Sequence, residues 1–375
     1  EMASYCAIAE SCTVISGRET RQRMKRLIQA LGVAAVLFAA PAYAEPEITI
    51  LGEFNERPGN PAVGPDGTLY FSVHPFDQPE FKVMQLVGSE GVPFPTPEIS
   101  RSFAAVIGIQ VEQDGTVWIL DMGSEETSPK LLGWDAQNNI LKAVHYLPDE
   151  VSVANSFHQD FAIDEVRRKA FIADMSRGGV IDDSNPAMVV VDLDTGQARR
   201  VLEGHESLQP QAGQTMIAEG KPLTFTDEQG NSYPVELGLN PIAIDAQNEW
   251  VYFSTVHPGT LYRIPAETLG NFAMDDAELA AAIEPFAEKP SSDGIAADGV
   301  GQVYITNVAK NAISIADETG TRIWIQDDRL VWPDGVYVAP DGSVVATINQ
   351  LNRAAPFNEG TPGGEPPFLI IRVQE

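Results

Sequence analysis

Short apolar runs alternate with acidic, glycine-containing turns along most of this chain. The clearest copy is Trp332 to Asn349. Val336-Tyr337-Val338-Ala339 leads into Pro340-Asp341-Gly342, and Val344-Val345-Ala346-Thr347-Ile348 follows. An Asp-Gly pair between two apolar runs predicts a tight hairpin, with a type I′ turn that takes positive φ at both central residues. Five further copies begin at Asn60, Gly108, Asp160, Asn240 and Asp293, each ending on a second strand such as Tyr70-Phe71-Ser72 or Val303-Tyr304-Ile305-Thr306. The starts lie 48, 52, 80, 53 and 41 residues apart. A period of about 40–50 residues with several short strands per repeat marks a β-propeller. Six repeats predict an all-β, six-bladed propeller of four-stranded antiparallel blades.

Two strands flank the repeats, Glu47–Phe54 before the first and Pro367–Val373 after the last. Both are expected in the final blade, because pairing the two ends removes the free edge between first and last blades. The long interval contains an excess stretch, Glu203 to Leu239, rich in Gln, Gly, Pro and Thr. It reads as an excursion between blades, a surface loop or a lid, with Pro222–Phe225 and Tyr233–Val235 as a small extra hairpin. Asp275 to Phe286 reads as a helix, the only one expected in the propeller, starting at an Asp275/Glu278 capping box.

Composition then narrows the setting. Met24, Lys25-Arg26, the apolar run Leu27 to Ala40 and Ala42-Tyr43-Ala44 have the layout of a secretory signal peptide at 24–44. Residues 1–23 read as an upstream extension, and 45–375 as one exported domain, periplasmic or extracellular. Both cysteines, Cys6 and Cys12, precede that domain. The chain carries 24 basic and 53 acidic residues, of which 1–44 hold five and three, so 45–375 has a net charge of 19 − 50 = −31. Such a surface disfavours nucleic acid and anionic lipid and favours cations.

Candidate chemistry follows from aligning the repeats. The residue opening each first strand is Asn60, Gly108, Asp160, Asn240, Asp293 or Asp334. First strands line the channel of a propeller, so this column predicts a ring of oxygen donors at one mouth. Such a ring suits a hard cation such as Ca²⁺, an amine or a polyhydroxyl ligand; turn and strand-entry chemistry alone is the simpler reading. A second ring, where the second strands return to that mouth, holds His74, Asp121, Asp174, His257, Asn307 and Asn349. His74, His257, Asp121 and Asp174 are the candidate acid–base groups, and His158 lies two residues before Asp160. No G-x-S-x-G elbow, phosphate-binding glycine loop or H-E-x-x-H motif occurs.

Several segments resemble the yellow / major royal jelly protein family: Asn60-Pro61-Ala62-Val63, Val117 to Gly123, Asp160 to Asp164, Val189 to Leu193, Ser292-Asp293-Gly294-Ile295 and Trp332-Pro333-Asp334-Gly335. The resemblance runs in order over residues 48–373. It implies a secreted six-bladed propeller with a ligand pocket at the channel mouth. Some insect members bind biogenic amines or are linked to dopachrome conversion, and bacterial members are described as related to dopachrome tautomerase. The cysteines and glycosylation of the insect proteins are not matched. A more distant similarity is to regucalcin/gluconolactonase and paraoxonase propellers, which hold Ca²⁺ with Glu, Asn and Asp. Asn60 stands where those proteins place a Glu, and Asn240 with Asp293 or Asp334 matches their other ligands. Three functions stay open: small-molecule binding at the mouth with or without conversion, Ca²⁺-assisted lactone hydrolysis, and a protein-interaction platform.

Overall fold

A computed structural model describes residues 45–176, 184–227 and 229–375. The expected signal peptide and upstream extension lie outside the described residues. The unit Glu45–Glu375 is a six-bladed propeller. Its inner strands are Pro58–Val63, Val106–Val111, His158–Asp164, Leu239–Ile244, Ile295–Ala297 and Pro333–Val338. Each leads outward through antiparallel neighbours to complete a four-stranded blade. The sixth blade uses both ends of the fold: Glu47–Phe54 pairs with Phe368–Gln374 and becomes its outermost strand, as expected.

Strand alternation explains how the ring holds together. Successive side chains point to opposite faces, so each blade has two apolar faces for two neighbours. In blade 3, Phe171 and Ala173 pack on blade 4, while Ala170 and Ile172 pack on blade 2. The same division recurs around the ring, giving one apolar slab per blade interface.

The Asp-Gly hairpins form, but not with type I′ turns. In Gly64 to Gly67, Glu112 to Gly115 and Ala339 to Gly342, the glycine N–H donates to the carbonyl three residues back. Only the glycine has positive φ, at 82°, 81° and 80°. This is a type I turn closed by a left-handed glycine, the G1-bulge arrangement. The aspartate caps the turn instead: Asp66, Asp114 and Asp341 accept the N–H two residues on. The expected helix at 275–286 is also shorter. Asp275 and Glu278 do form the capping box, but the helix covers only Asp276–Ala281. Glu284–Lys289 is the fourth strand of blade 4, because the open edge of Gly259–Pro265 captures it. Two further short helices, Pro97–Ser102 and Ala266–Leu269, lie between strands. Among the described residues, no helix is long and apolar enough to cross a membrane.

Candidate functional site

The mouth where the inner strands begin is built by a repeated distortion. In five of the six blades the pairing of first and second strands slips at this end, between Pro58 and Pro61, Val106 and Ile109, His158 and Asp160, Leu239 and Ile242, and Pro333 and Val336. A bulge bends the strand and re-aims a side chain. Hydroxyls of the second strand bond backbone N–H groups at the strand entries, in bulged blades and in the regular fifth blade alike. Ser72 accepts from Asn60 N, Thr306 from Asp293 N and Gly294 N, and Thr347 from Gly335 N, all at 3.0 Å. The glycines admit close approach of the strands: a Cβ on Gly335 would lie 2.7 Å from the Asn60 Cα.

These bulges, with the entry to the regular fifth inner strand that carries Asp293, bring the expected column together. Asn60, Asp160, Asn240, Asp293 and Asp334 are all buried. Asn240 Nδ2 donates to Asp293 Oδ1 at 3.0 Å, and the Trp332 indole N–H donates to Oδ2 at 2.7 Å. Asn349 donates to Asp334, and Nδ2 also reaches the Pro58 carbonyl of the first blade at 3.2 Å. Asp160 accepts the N–H of Phe161 at 2.8 Å and a hydrogen bond from Asn60. Asp334 hydrogen-bonds Asp293.

Burial controls the charge of this cluster. It pushes Asp160 up to about 8. It also raises Asp293 and Asp334, the latter further because Asp293 is beside it. Burial and their mutual repulsion keep the two carboxyls from both being charged, so the hydrogen bond between them holds one shared proton. Lys289 is buried nearby, donating to the carbonyls of His257 and Pro290 at 2.8 and 2.9 Å; burial lowers its amine to about 7 against the pull of Asp293.

Above Asp293 lies a small cavity of about 70 Å³ that opens to solvent. Its polar lining is His74, Gln159, Asn240 and Asp293, and its walls include Phe76, Phe157, Met175, Met216, Trp332 and Phe357. Phe357 stacks on Trp332, with ring centroids 6.3 Å apart, and also meets Phe76 and Phe225. The 203–239 excursion is more than a surface loop. It supplies Met216, Leu223 and Leu237 to the cavity and carries two small hairpins. Glu219 clips it to Arg353 and Asn352 on the loop bearing Phe357. A larger cavity, about 230 Å³, opens at the opposite end of the channel. Aliphatic residues such as Val111, Ile163, Ile244 and Val338 dominate its side chains, and the buried acid–amide cluster is not there.

The second ring divides. His74 borders the cavity; its Nδ1 accepts the Phe76 N–H at 3.2 Å, and burial, helped by Arg57, lowers the ring to about 3, so it is neutral. Asp121, Asp174, His257 and Asn307 do not border it. Asp121 pairs with Lys130 at 2.6 Å and accepts from Ala104, Ala105 and Gly123 backbone N–H groups. Asp174 is held by Arg200, Ser156 and backbone N–H groups, with His158 Nε2 4.0 Å away. His257 Nε2 accepts from Leu237 N and so anchors the excursion. Asn307 donates to Ser314.

The donor set does not match what Ca²⁺ requires. Both Asp293 oxygens face N–H donors, and the Trp332 indole has no oxygen to turn inward. Among the described residues no three His, Cys, Asp or Glu groups are arranged for a metal. As arranged, the cluster suits protons and N–H donors and does not fit the six-to-eight-oxygen shell of Ca²⁺.

Fold and site together define a six-bladed propeller with a lidded pocket over buried, proton-holding carboxylates. The sequence matches the family described as "Major royal jelly protein" over residues 104–353, and the chain belongs to that family. No match was found among curated proteins. Solved structures share the fold at low identity. A gluconolactonase from Xanthomonas campestris is 10% identical, with TM-score 0.53 over 88% of this chain and 89% of that one. A glucose dehydrogenase-type oxidoreductase from Thermus thermophilus is 12% identical, with TM-score 0.51 over 88% and 100%. A virginiamycin B lyase from Staphylococcus aureus is 14% identical, with TM-score 0.50 over 88% and 100%.

Gln159, Lys289 and Trp332 escaped the sequence reading as site residues. Gln159 and Lys289 fall outside the aligned column. Trp332 carried a signal, since it directly precedes Pro333-Asp334.

Proposed function

We propose that this mouth binds a small neutral or cationic aromatic molecule of the catechol or amine type. The observation carrying this reading is a single cavity in which an aromatic and methionine wall meets buried Asp293 and Asn240. Aromatic faces and a carboxylate together favour a flat ligand bearing N–H, O–H or ammonium groups. Conversion of the ligand is a second step of the same reading, since a buried carboxyl pair sharing one proton can give and take protons. Ca²⁺-assisted lactone hydrolysis is the alternative; the gluconolactonase likeness supports it at the level of fold only.

Thermal unfolding with dopamine, tyramine, 4-methylcatechol, Ca²⁺ and chelator tests the reading. Dopamine or 4-methylcatechol at 100 times its dissociation constant should stabilise the fold by about 2.7 kcal/mol. Asp293→Ala should abolish that shift, and the exposed control Asp276→Ala should retain it. A midpoint that moves with Ca²⁺ and not with any aromatic would favour the lactonase alternative instead.

A further inference from the structure

Gln159 is the extra residue of the blade 3 bulge, between His158 and Asp160 in the strand pairing. Freed from the strand ladder by the bulge, Gln159 lines the cavity. The residue is only 7% exposed, and its side-chain amide has no hydrogen-bond partner among the described residues, though its polar atoms keep some access to solvent through the cavity. An amide offers two donors and an acceptor, and a ligand that displaces solvent from the cavity has to meet them. His74 repeats the situation on blade 1. It is 5% exposed, and Nδ1 accepts from Phe76, which in the neutral ring places the proton on Nε2. That N–H has no protein partner among the described residues and, like the Gln159 amide, keeps some access to the cavity. By contrast, both oxygens of Asp293 already accept hydrogen bonds. The unmet groups of the pocket are therefore mainly donors, and none is a full positive charge.

We propose that Gln159 and His74 form the oxygen-recognising wall of this pocket and select a planar ligand carrying a hydroxyl or carbonyl oxygen, while excluding carboxylic acids. The inference deepens the proposed binding function and rests on it. The selectivity has a simple origin. A neutral imidazole and an amide stabilise an uncharged oxygen well, but cannot compensate a buried carboxylate beside Asp293. Burial is what keeps His74 neutral, and Arg57 behind it acts in the same direction.

Isothermal titration with three probes of similar outline tests this: 4-methylcatechol, p-xylene and 3,4-dihydroxybenzoate. 4-Methylcatechol should bind tightest. Gln159→Leu should weaken it about tenfold, the scale of one hydrogen bond, and leave p-xylene unchanged. His74→Asn keeps an acceptor for the Phe76 N–H, removes the Nε2–H, and should act similarly. Gln159→Leu should also leave the melting temperature of the free protein unchanged or higher, because it removes an unmet amide; a purely structural role would lower it. Wild-type affinity in both variants, or tightest binding of 3,4-dihydroxybenzoate, overturns the inference while leaving the pocket a binding site. Binding of none of the aromatic compounds to the wild type overturns the underlying reading and the inference with it.

Discussion

At the scale of single residues, the site inverts the usual role of aspartate. Asp66, Asp114 and Asp341 sit at turns and accept local N–H groups, which is what aspartate ordinarily does near a hairpin. Asp160, Asp293 and Asp334 occupy bulges or strand entries that point inward, where no arginine among the described residues meets them. Asp160 is raised to about 8, chiefly by burial. Between its unfolded value near 4 and that figure, the native state holds a proton that the unfolded chain has released. The contribution is therefore fully present at low pH and is lost as pH rises through about 8. Asp160→Asn keeps the neutral form at every pH. Urea denaturation should find variant and wild type nearly equal at pH 4, with the variant more stable at pH 9 by on the order of a few kcal/mol. Lys289 acts in the opposite sense above about 7 and cancels in the difference between the two proteins. Parallel pH profiles would show that Asp160 ionises freely in the fold. The column itself was legible because five of its six residues share one chemistry in one register. Gln159 was not, because only the bulge shows which way it faces.

At the scale of elements, strand number and order were readable from alternation and turn residues, whereas turn type and helix length were not. Asp-Gly is compatible with a type I′ turn and with a type I turn closed by glycine, and the twist and length of each loop decide between them. The alanines carry the helix to Ala281, but Pro285 cannot continue it, and Glu284–Lys289 pairs instead with the open edge of Gly259–Pro265. The closing strand was legible through its hydrophobicity at the extreme of the repeat. Glu47–Phe54 covers Phe368–Gln374, whose Ile370, Ile371 and Val373 are buried. Deleting residues 47–54 should lower the melting temperature by several degrees and open an edge to other chains. Calorimetry and light scattering over a range of protein concentrations would show both. A truncated protein that melts unchanged and stays monodisperse would mean the sixth blade is complete with three strands.

At the scale of the whole molecule, the repeat period disclosed the ring, and the one anomalous interval disclosed the lid. What the period could not disclose was that the lid closes over the carboxylates, since that needs Met216, Leu223 and Leu237 to fold back across the mouth. The seam in blade 6 carries a further consequence. Glu47 lies opposite Gln374 in adjacent antiparallel strands. In connectivity the propeller is thus a circle cut once, and the position of the cut is arbitrary for the packing. A short Gly-rich hairpin joining 374 to 47 would seal it, and the chain could be reopened at the exposed turn 137–139 in blade 2. Such a circular permutant should fold to the same ring, with a melting temperature close to that of the parent and unaltered ligand binding. A permutant that fails to fold would show that the order in which the blades are made, and not only their contacts, decides whether the ring can form.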